Sequence, residues 1–235
     1  MFRVRPAAWQ SLVASVALAG VLRAQSAPPA QAPDPARFKA AIDGFLKEDK
    51  ASPPAPLGIE FIGSSIFAQW KDVAKDMAPL PAYNRAFGGS QTPDLLFYED
   101  KVVLPYHPRF LVYYCGSNDV NANRPAAEII ANIRTFHERL QKAYPNTRMF
   151  FVSVIRAPQK RSRWAVVDSV NAAMRAYART AHLVEFIDVN PVLLDAAGNV
   201  RGELYVDDSL HYRPPAYQLF TSVIKPVLQR AWTAK

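Results

Sequence analysis

The sequence predicts an α/β protein, a three-layer α/β/α sandwich built on a mainly five-stranded parallel sheet. Two patterns predict it. Short apolar runs alternate along the chain with amphipathic stretches of helical period, the β-α-β-α order that a parallel sheet with helices on both faces requires. The strongest runs, residues 110–115 and 149–154, are apolar apart from Ser153, as strands buried on both faces are. Size agrees with this reading. The chain has 235 residues, 50% of them hydrophobic and 20% charged, enough for one well-buried core and short for two domains.

The N-terminus stands apart from the pattern. Arg3 and Arg5 precede an uncharged apolar stretch at 11–22, and the small residues Ala24 and Ser26 follow. A basic flank, a short apolar run and a small-residue exit describe a secretory signal peptide over residues 1–24, which would make the protein secreted or periplasmic. The run of about 12 residues falls short of the roughly 20 that a spanning helix needs, so no stable membrane span is expected after cleavage. An uncleaved anchor is the alternative. Residues 25–35 are rich in Pro and Ala without apolar periodicity and read as a linker. Residues 36–235 read as the folded domain.

Asp34-Pro35 looks like an N-cap followed by Pro at the first helical position, and Phe38, Ile42 and Phe45 give that helix an apolar stripe. A strand over 59–62 stops at Gly63, and a helix follows over 66–77. Residues 83–87 form a weaker strand, 93–104 a helix, and 110–115 the most apolar strand, which stops at Gly116. The helix over 126–144 places Ile129, Ile133, Phe136 and Leu140 on one face. A strand at 149–155, a helix at 165–180 and a last strand at 183–189 come next. A closing helix spans 215–232, with a bend expected at Pro226. In such sheets, sites lie beyond the carboxyl ends of the strands. The loops to inspect are therefore 63–65, 87–91, 116–120 and the segment before the last helix.

Composition narrows the function. Cleavage after Ala24 would remove Arg3, Arg5 and Arg23 and no acid, so the formal net charge falls from +8 to +5. That balance favours acidic surfaces or substrates. The densest basic run, Lys160-Arg161-Ser162-Arg163, is short and reads as a solvated loop or helix start, so no nucleic-acid role is expected. Cys115 is the single cysteine, which excludes an intramolecular disulfide, and the sequence holds no metal-type Cys/His cluster and no HExxH helix.

The chemistry is written in four loops. Gly63-Ser64-Ser65 sits where the first strand meets its helix. Glycine permits the tight turn, and a serine just past it presents its hydroxyl at a helix N-terminus, although serine there commonly serves only as an N-cap. Phe87-Gly88-Gly89-Ser90 follows the second strand; paired glycines let backbone N–H groups approach a ligand closely, and an ordinary turn reads the same way. Gly116-Ser117-Asn118-Asp119 follows the third strand, where Asn118 can donate an amide hydrogen to a developing oxyanion. Asp208-Ser209-Leu210-His211 precedes the last helix. A serine hydroxyl is a poor nucleophile until a base takes its proton, and a histidine base needs a carboxylate to fix its tautomer. Asp208 supplies one, with Asp207 as the rival. His107, His137 and His182 lack such a setting and read as structural. Cys115, a further candidate nucleophile, ends an apolar strand, where a thiol is normally inert packing.

The order and placement of these blocks resemble the SGNH hydrolases, also called GDSL-type esterases and lipases, over roughly residues 59–217. The resemblance implies a flavodoxin-like strand order, Ser65 as nucleophile, and Asp208 and His211 as its activating pair. It also implies an oxyanion hole formed by the Ser65 N–H, Gly89 and Asn118, and acyl transfer that needs no cofactor. The stretch Phe61-Ile62-Gly63-Ser64-Ser65, its spacing to Trp70, and Asn84-Arg85-Ala86-Phe87-Gly88-Gly89 look like a secreted or periplasmic branch. Two departures stand out. Ser64 replaces the family's usual Asp, leaving two adjacent hydroxyls, and Tyr212-Arg213-Pro214-Pro215-Ala216 follow the histidine where a polar residue and Gly are more usual. The expected substrate is a small-molecule or carbohydrate ester with a short acyl group, since no long apolar lid insertion is visible. Trp70, Tyr114 and Trp164 would suit a sugar ester or serve the core. A lysophospholipase- or thioesterase-type acyl hydrolase and a non-catalytic binding module on the same scaffold are the alternatives.

Overall fold

The computed structural model describes Met1 and residues 34–234. The expected signal peptide, apart from Met1, and the linker as far as residue 33 lie outside the described residues. Asp34 accepts the Ala36 N–H at 2.9 Å and opens a short 3-10 turn, Pro35–Phe38, which leads into α1 (Lys39–Ala51). The first strand, β1 (Ile59–Gly63), runs into two short helices, α2 (Ser65–Ala68) and α3 (Val73–Met77). Next come β2 (Ala82–Asn84), α4 (Thr92–Val102), β3 (Phe110–Tyr114), α5 (Ser117–Asn121) and α6 (Ala126–Ala143). The chain continues through β4 (Arg148–Val152), α7 (Trp164–Tyr177) and β5 (Val184–Ile187), and closes on α8 (Pro214–Thr233).

The five strands pair in parallel in the order β2-β1-β3-β4-β5, the flavodoxin-like arrangement. Alternate side chains of each strand feed one of two cores. Phe61, Val112, Phe150 and Val152 pack with Trp70, Phe220, Ile224 and Leu228 on the α3–α8 face. Ile62, Leu111, Tyr113 and Phe151 pack with Ile129, Ile133, Phe136 and Val170 on the α4–α6–α7 face. Three layers result, with β3 buried along its whole length between them.

Three expectations need correction. The helix expected over 66–77 is interrupted at Gln69–Asp72. Trp70 turns inward there, packing on Phe61, Phe67 and Tyr217, and the Phe67 carbonyl accepts the Asn84 amide at 2.7 Å besides the Trp70 N–H at 2.9 Å. The second strand ends at Asn84 rather than Phe87, although the Arg85 and Phe87 N–H groups still bond the Phe61 and Gly63 carbonyls. The basic run at 160–163 is not wholly solvated. It lies in a 3-10 segment, Pro158–Arg163, whose backbone leaves helical geometry at Lys160, and that side chain is buried. Pro226 sits inside α8, which continues on both sides of it.

Candidate active site

Gly63 ends β1 against the neighbouring strand. Its φ is +153°, and a Cβ built there would lie 1.9 Å from the Tyr114 carbonyl oxygen, so only glycine fits. This close approach lets the chain turn sharply, with Ser64 as N-cap and Ser65 as the first residue of α2. Ser64 is buried and its hydroxyl has no hydrogen-bond partner, whereas Ser65 is half-buried with its Oγ 2.8 Å from His211 Nε2. Of the two adjacent hydroxyls, the structure puts Ser65 on the histidine.

The other nitrogen of that ring, His211 Nδ1, lies 2.6 Å from Asp208 Oδ2. An ionised carboxylate can only accept, so the ring proton sits on Nδ1 and Nε2 is left to accept the Ser65 hydroxyl. Asp208 Oδ1 accepts two further bonds, from the Leu210 and His211 N–H groups, each at 2.9 Å. Burial pushes the Asp208 carboxyl up, but the bonds from the His211 ring, the His211 N–H and the Leu210 N–H outweigh it and hold the group down at about 2. It is therefore ionised throughout the neutral range. The turn that carries the pair closes on itself, with Val206 N–H bonded to His211 O at 2.9 Å and a Tyr205–Tyr212 bridge flanking it. Asp207 points away, with an exposed side chain whose partner is Arg213 at 3.3 Å.

Gly88 and Gly89 turn the chain after β2. A side chain at Gly88 would meet Ser65, 3.8 Å away, and Gly89 has a φ of +84°. The Asn118 amide donates to the Ser90 carbonyl at 2.9 Å, leaving its second amide hydrogen for another acceptor. Ser90 Oγ donates in turn to the Gly63 carbonyl at 3.1 Å. The loops after β1, β2 and β3, and with them Ser65, Gly89 and Asn118, are thus tied into one shell.

Residues outside the four motifs hold that shell. Asp119, fully buried, accepts the Thr92 N–H at 3.0 Å and the Thr92 hydroxyl at 2.6 Å, which fastens the β3 loop to the start of α4. Burial pushes the Asp119 carboxyl up to about 6, although the Thr92 bonds and Arg124 favour its charged form. Arg124 donates to Gln91 Oε1 at 2.7 Å, and Asp94 accepts the Gln91 N–H at 2.8 Å. From the N-terminal turn, the Phe38 ring packs edge-on against Phe87 at 4.9 Å. Sequence reading missed these tethers because their partners are far apart in the chain. The one local signal was an acid, Asp119, directly after the candidate oxyanion donor.

The remaining candidates lie elsewhere. His137 is buried in α6 with Nδ1 2.9 Å from the Tyr177 hydroxyl, and His107 stacks on Tyr144. Cys115 is buried and free, and burial pushes its thiol well up, away from the thiolate. Trp70 and Tyr114 are core residues and unavailable for stacking on a sugar; Trp164 is half-buried, with its indole N–H on the Ala157 carbonyl at 2.9 Å. Among the described residues, no group of three or more His, Cys, Asp or Glu side chains is arranged to hold a metal. Among them, too, no helix is long and apolar enough to cross a membrane.

Comparison with known proteins bears on the fold and the family. Among curated protein sequences none matches the chain. Solved structures do. A GDSL-like lipase from Bacteroides thetaiotaomicron superposes with a TM-score of 0.69 at 20% identity, over 81% of this chain and 98% of that one. An acetyl esterase variant holding an acetate ion gives 0.59 at 19%, over 74% and 97%. A carbohydrate esterase family 3 protein from Talaromyces cellulolyticus gives 0.60 at 18%, over 74% and 97%. At these identities the structures share the fold. The sequence profile of the GDSL-like lipase/acylhydrolase family matches residues 61–219, from β1 through the opening turns of α8, and the chain belongs to that family, the SGNH hydrolases.

Proposed function

We propose that the protein is a serine esterase that cleaves carboxylic esters through an acyl-enzyme. Membership of the family supports an ester-hydrolysing enzyme. The observation that carries the finer reading is the hydrogen-bonded chain from Asp208 through His211 to Ser65, at 2.6 and 2.8 Å. In this mechanism His211 Nε2 takes the Ser65 proton as Oγ attacks the ester carbonyl, and Asp208 stabilises the imidazolium that forms. The Ser65 N–H, Gly89 N–H and second Asn118 amide hydrogen stabilise the tetrahedral oxyanion, each donor contributing about 3 kcal/mol. His211 then returns the proton to the leaving alcohol. Water, deprotonated by the same histidine, releases the acid and restores Ser65.

The proposed substrate is a short-chain ester, with an acetyl group on carbohydrate as the leading case. The acetyl esterase and carbohydrate esterase among the structural neighbours support this choice. Export to the periplasm or medium is part of the proposal and rests on the basic flank and apolar run at residues 3–22.

A fluorophosphonate probe followed by peptide mapping tests the mechanism. The adduct should fall on Ser65 and disappear in Ser65→Ala, together with hydrolysis of p-nitrophenyl acetate. An adduct on Ser64 would overturn the assignment, and folded protein that takes no label would favour the binding module.

A further inference from the structure

Lys160 is 2% exposed, and a lysine is almost never buried so fully without an ion pair. Its amine donates to the neutral Gln159 amide oxygen at 3.2 Å and, among the described residues, makes no ion pair. An ammonium has three donors, so this partner alone does not satisfy it. The segment is fastened to the turn that carries the dyad, since Gln159 N–H donates to the Ser209 carbonyl at 3.1 Å. Ser209 is the residue between Asp208 and Leu210. The break in helical backbone geometry falls at Lys160 itself, where φ is −114° and ψ is 29°.

We propose that Lys160 is a positioning residue of the catalytic dyad: its buried ammonium stands beside the Asp208 turn and sets how much of the carboxylate's charge reaches His211. The inference rests on the esterase reading above. A cation near Asp208 offsets part of that carboxylate's field at the imidazole, and so bears on how readily His211 Nε2 takes the Ser65 proton. Burial lowers the Lys160 amine to about 8, and Asp208 is the charge that acts against this. Above that pH the ammonium loses its proton and the full charge of Asp208 reaches the imidazole.

The other charges nearby have partners of their own. Asp207 faces Arg213, Asp168 of α7 binds Arg156 at 2.7 Å, Arg161 lies over the Trp164 ring, and Arg163 bonds Asn123 in the turn after α5. Asp119 of α5 is bonded to Thr92, and no Lys160 substitution removes that partner.

The test is the pH profile of kcat/KM on a p-nitrophenyl ester for wild type, Lys160→Met and Lys160→Arg, with thermal unfolding recorded for each. Wild type should show an acid limb and a second, shallow change near pH 8. Lys160→Met, close to isosteric, should move the acid limb up by about half a unit and lose the change near pH 8, with KM little altered. Lys160→Arg, charged at every pH used, should restore the acid limb while still lacking the upper change. Profiles for wild type and Lys160→Met that superimpose would overturn the proposal, whatever the stability change. If the variants do not fold, the His211 ring resonances of wild type decide: a shift as pH passes 8 supports the proposal, and flat resonances from pH 7 to 9 overturn it. Fluorophosphonate labelling of wild type separates the two readings. Loss of labelling refutes the serine mechanism, whereas the His211 resonances still report on Lys160.

Discussion

Ser65, Gly89 and Asn118 stand on loops that leave β1, β2 and β3 at their carboxyl ends, and side chains from distant parts of the chain tie those loops together. Asp208 and His211 stand instead on a surface turn, three residues apart, held mainly by bonds within the turn itself. On the first side, Ser90 bridges Gly63 and Asn118, and fully buried Asp119 locks Thr92. On the second, the Asp208 side chain is 47% exposed and takes its partners from Leu210 and His211. Under the proposed mechanism, the contrast follows from what each side must do. An oxyanion pocket draws donors from three segments far apart in sequence, and only a packed core can hold those segments in register. An acid and a base three residues apart need only a turn. Stability and activity should therefore separate between the two sides.

The largest effect is expected from Asp208→Asn. Asparagine can keep its carbonyl oxygen on the Leu210 and His211 N–H groups, which Oδ1 now accepts, so the turn and the fold should persist. Its NH2 then faces His211 Nδ1 in place of Oδ2 and forces the ring proton onto Nε2, where it blocks acceptance of the Ser65 proton. The expected result is a fall in kcat of about 10³–10⁴-fold with a melting temperature close to wild type. Activity within tenfold of wild type would mean that the exposed side contributes little to catalysis, and the division drawn above would fail.

On the buried side the balance should reverse. Asp119→Ala removes the acceptor for the Thr92 N–H and hydroxyl and leaves Arg124 without one of its charged neighbours. Buried donors stranded in this way destabilise a fold by about 2–4 kcal/mol. Denaturant unfolding should show that loss, and kcat should fall by about tenfold as the Gly89 and Asn118 loops drift apart. A variant as stable as wild type would show that the loops hold their places without this tether.

The same division governs what could be read from the sequence. The strands were legible because burial on both faces leaves continuous apolar runs, and the site loops because glycines and polar residues interrupt those runs at the carboxyl ends. Asp208 and His211 were legible for a different reason: three residues of spacing suffices to join them. Ser90, Thr92 and Asp119 were passed over because their partners lie 27 or 28 residues away, and nothing local announces such a pairing. Trp70 broke the expected helix because the core on the α8 face claimed its ring, a tertiary effect that helical periodicity does not contain. In the sequence, the company of Arg161 and Arg163 makes Lys160 read as solvated. Composition treats the three as one run, but the kink in the backbone at Lys160 breaks the run and buries one member of it.

The smallest effect is expected one residue from the largest. Asp207 carries the same carboxylate as Asp208 and was its rival on spacing alone, yet its side chain is 103% exposed and meets Arg213 at 3.3 Å on the surface. A surface pair of this kind contributes about 0–1 kcal/mol. No bond to His211 depends on Asp207, so Asp207→Asn should leave kcat and KM within about twofold of wild type, with stability changed by less than about 0.5 kcal/mol. Set beside Asp208→Asn, it makes a matched pair: identical chemical change, adjacent positions, the same exposed turn. If exposure alone governed the outcome, the two variants would behave alike. A large gap in kcat with nearly equal melting temperatures would show that on this side function depends on one hydrogen bond to the imidazole rather than on burial. Equal losses in both would instead mean that the turn responds to its total negative charge, and the Asp208 Oδ2 contact would lose its privileged place.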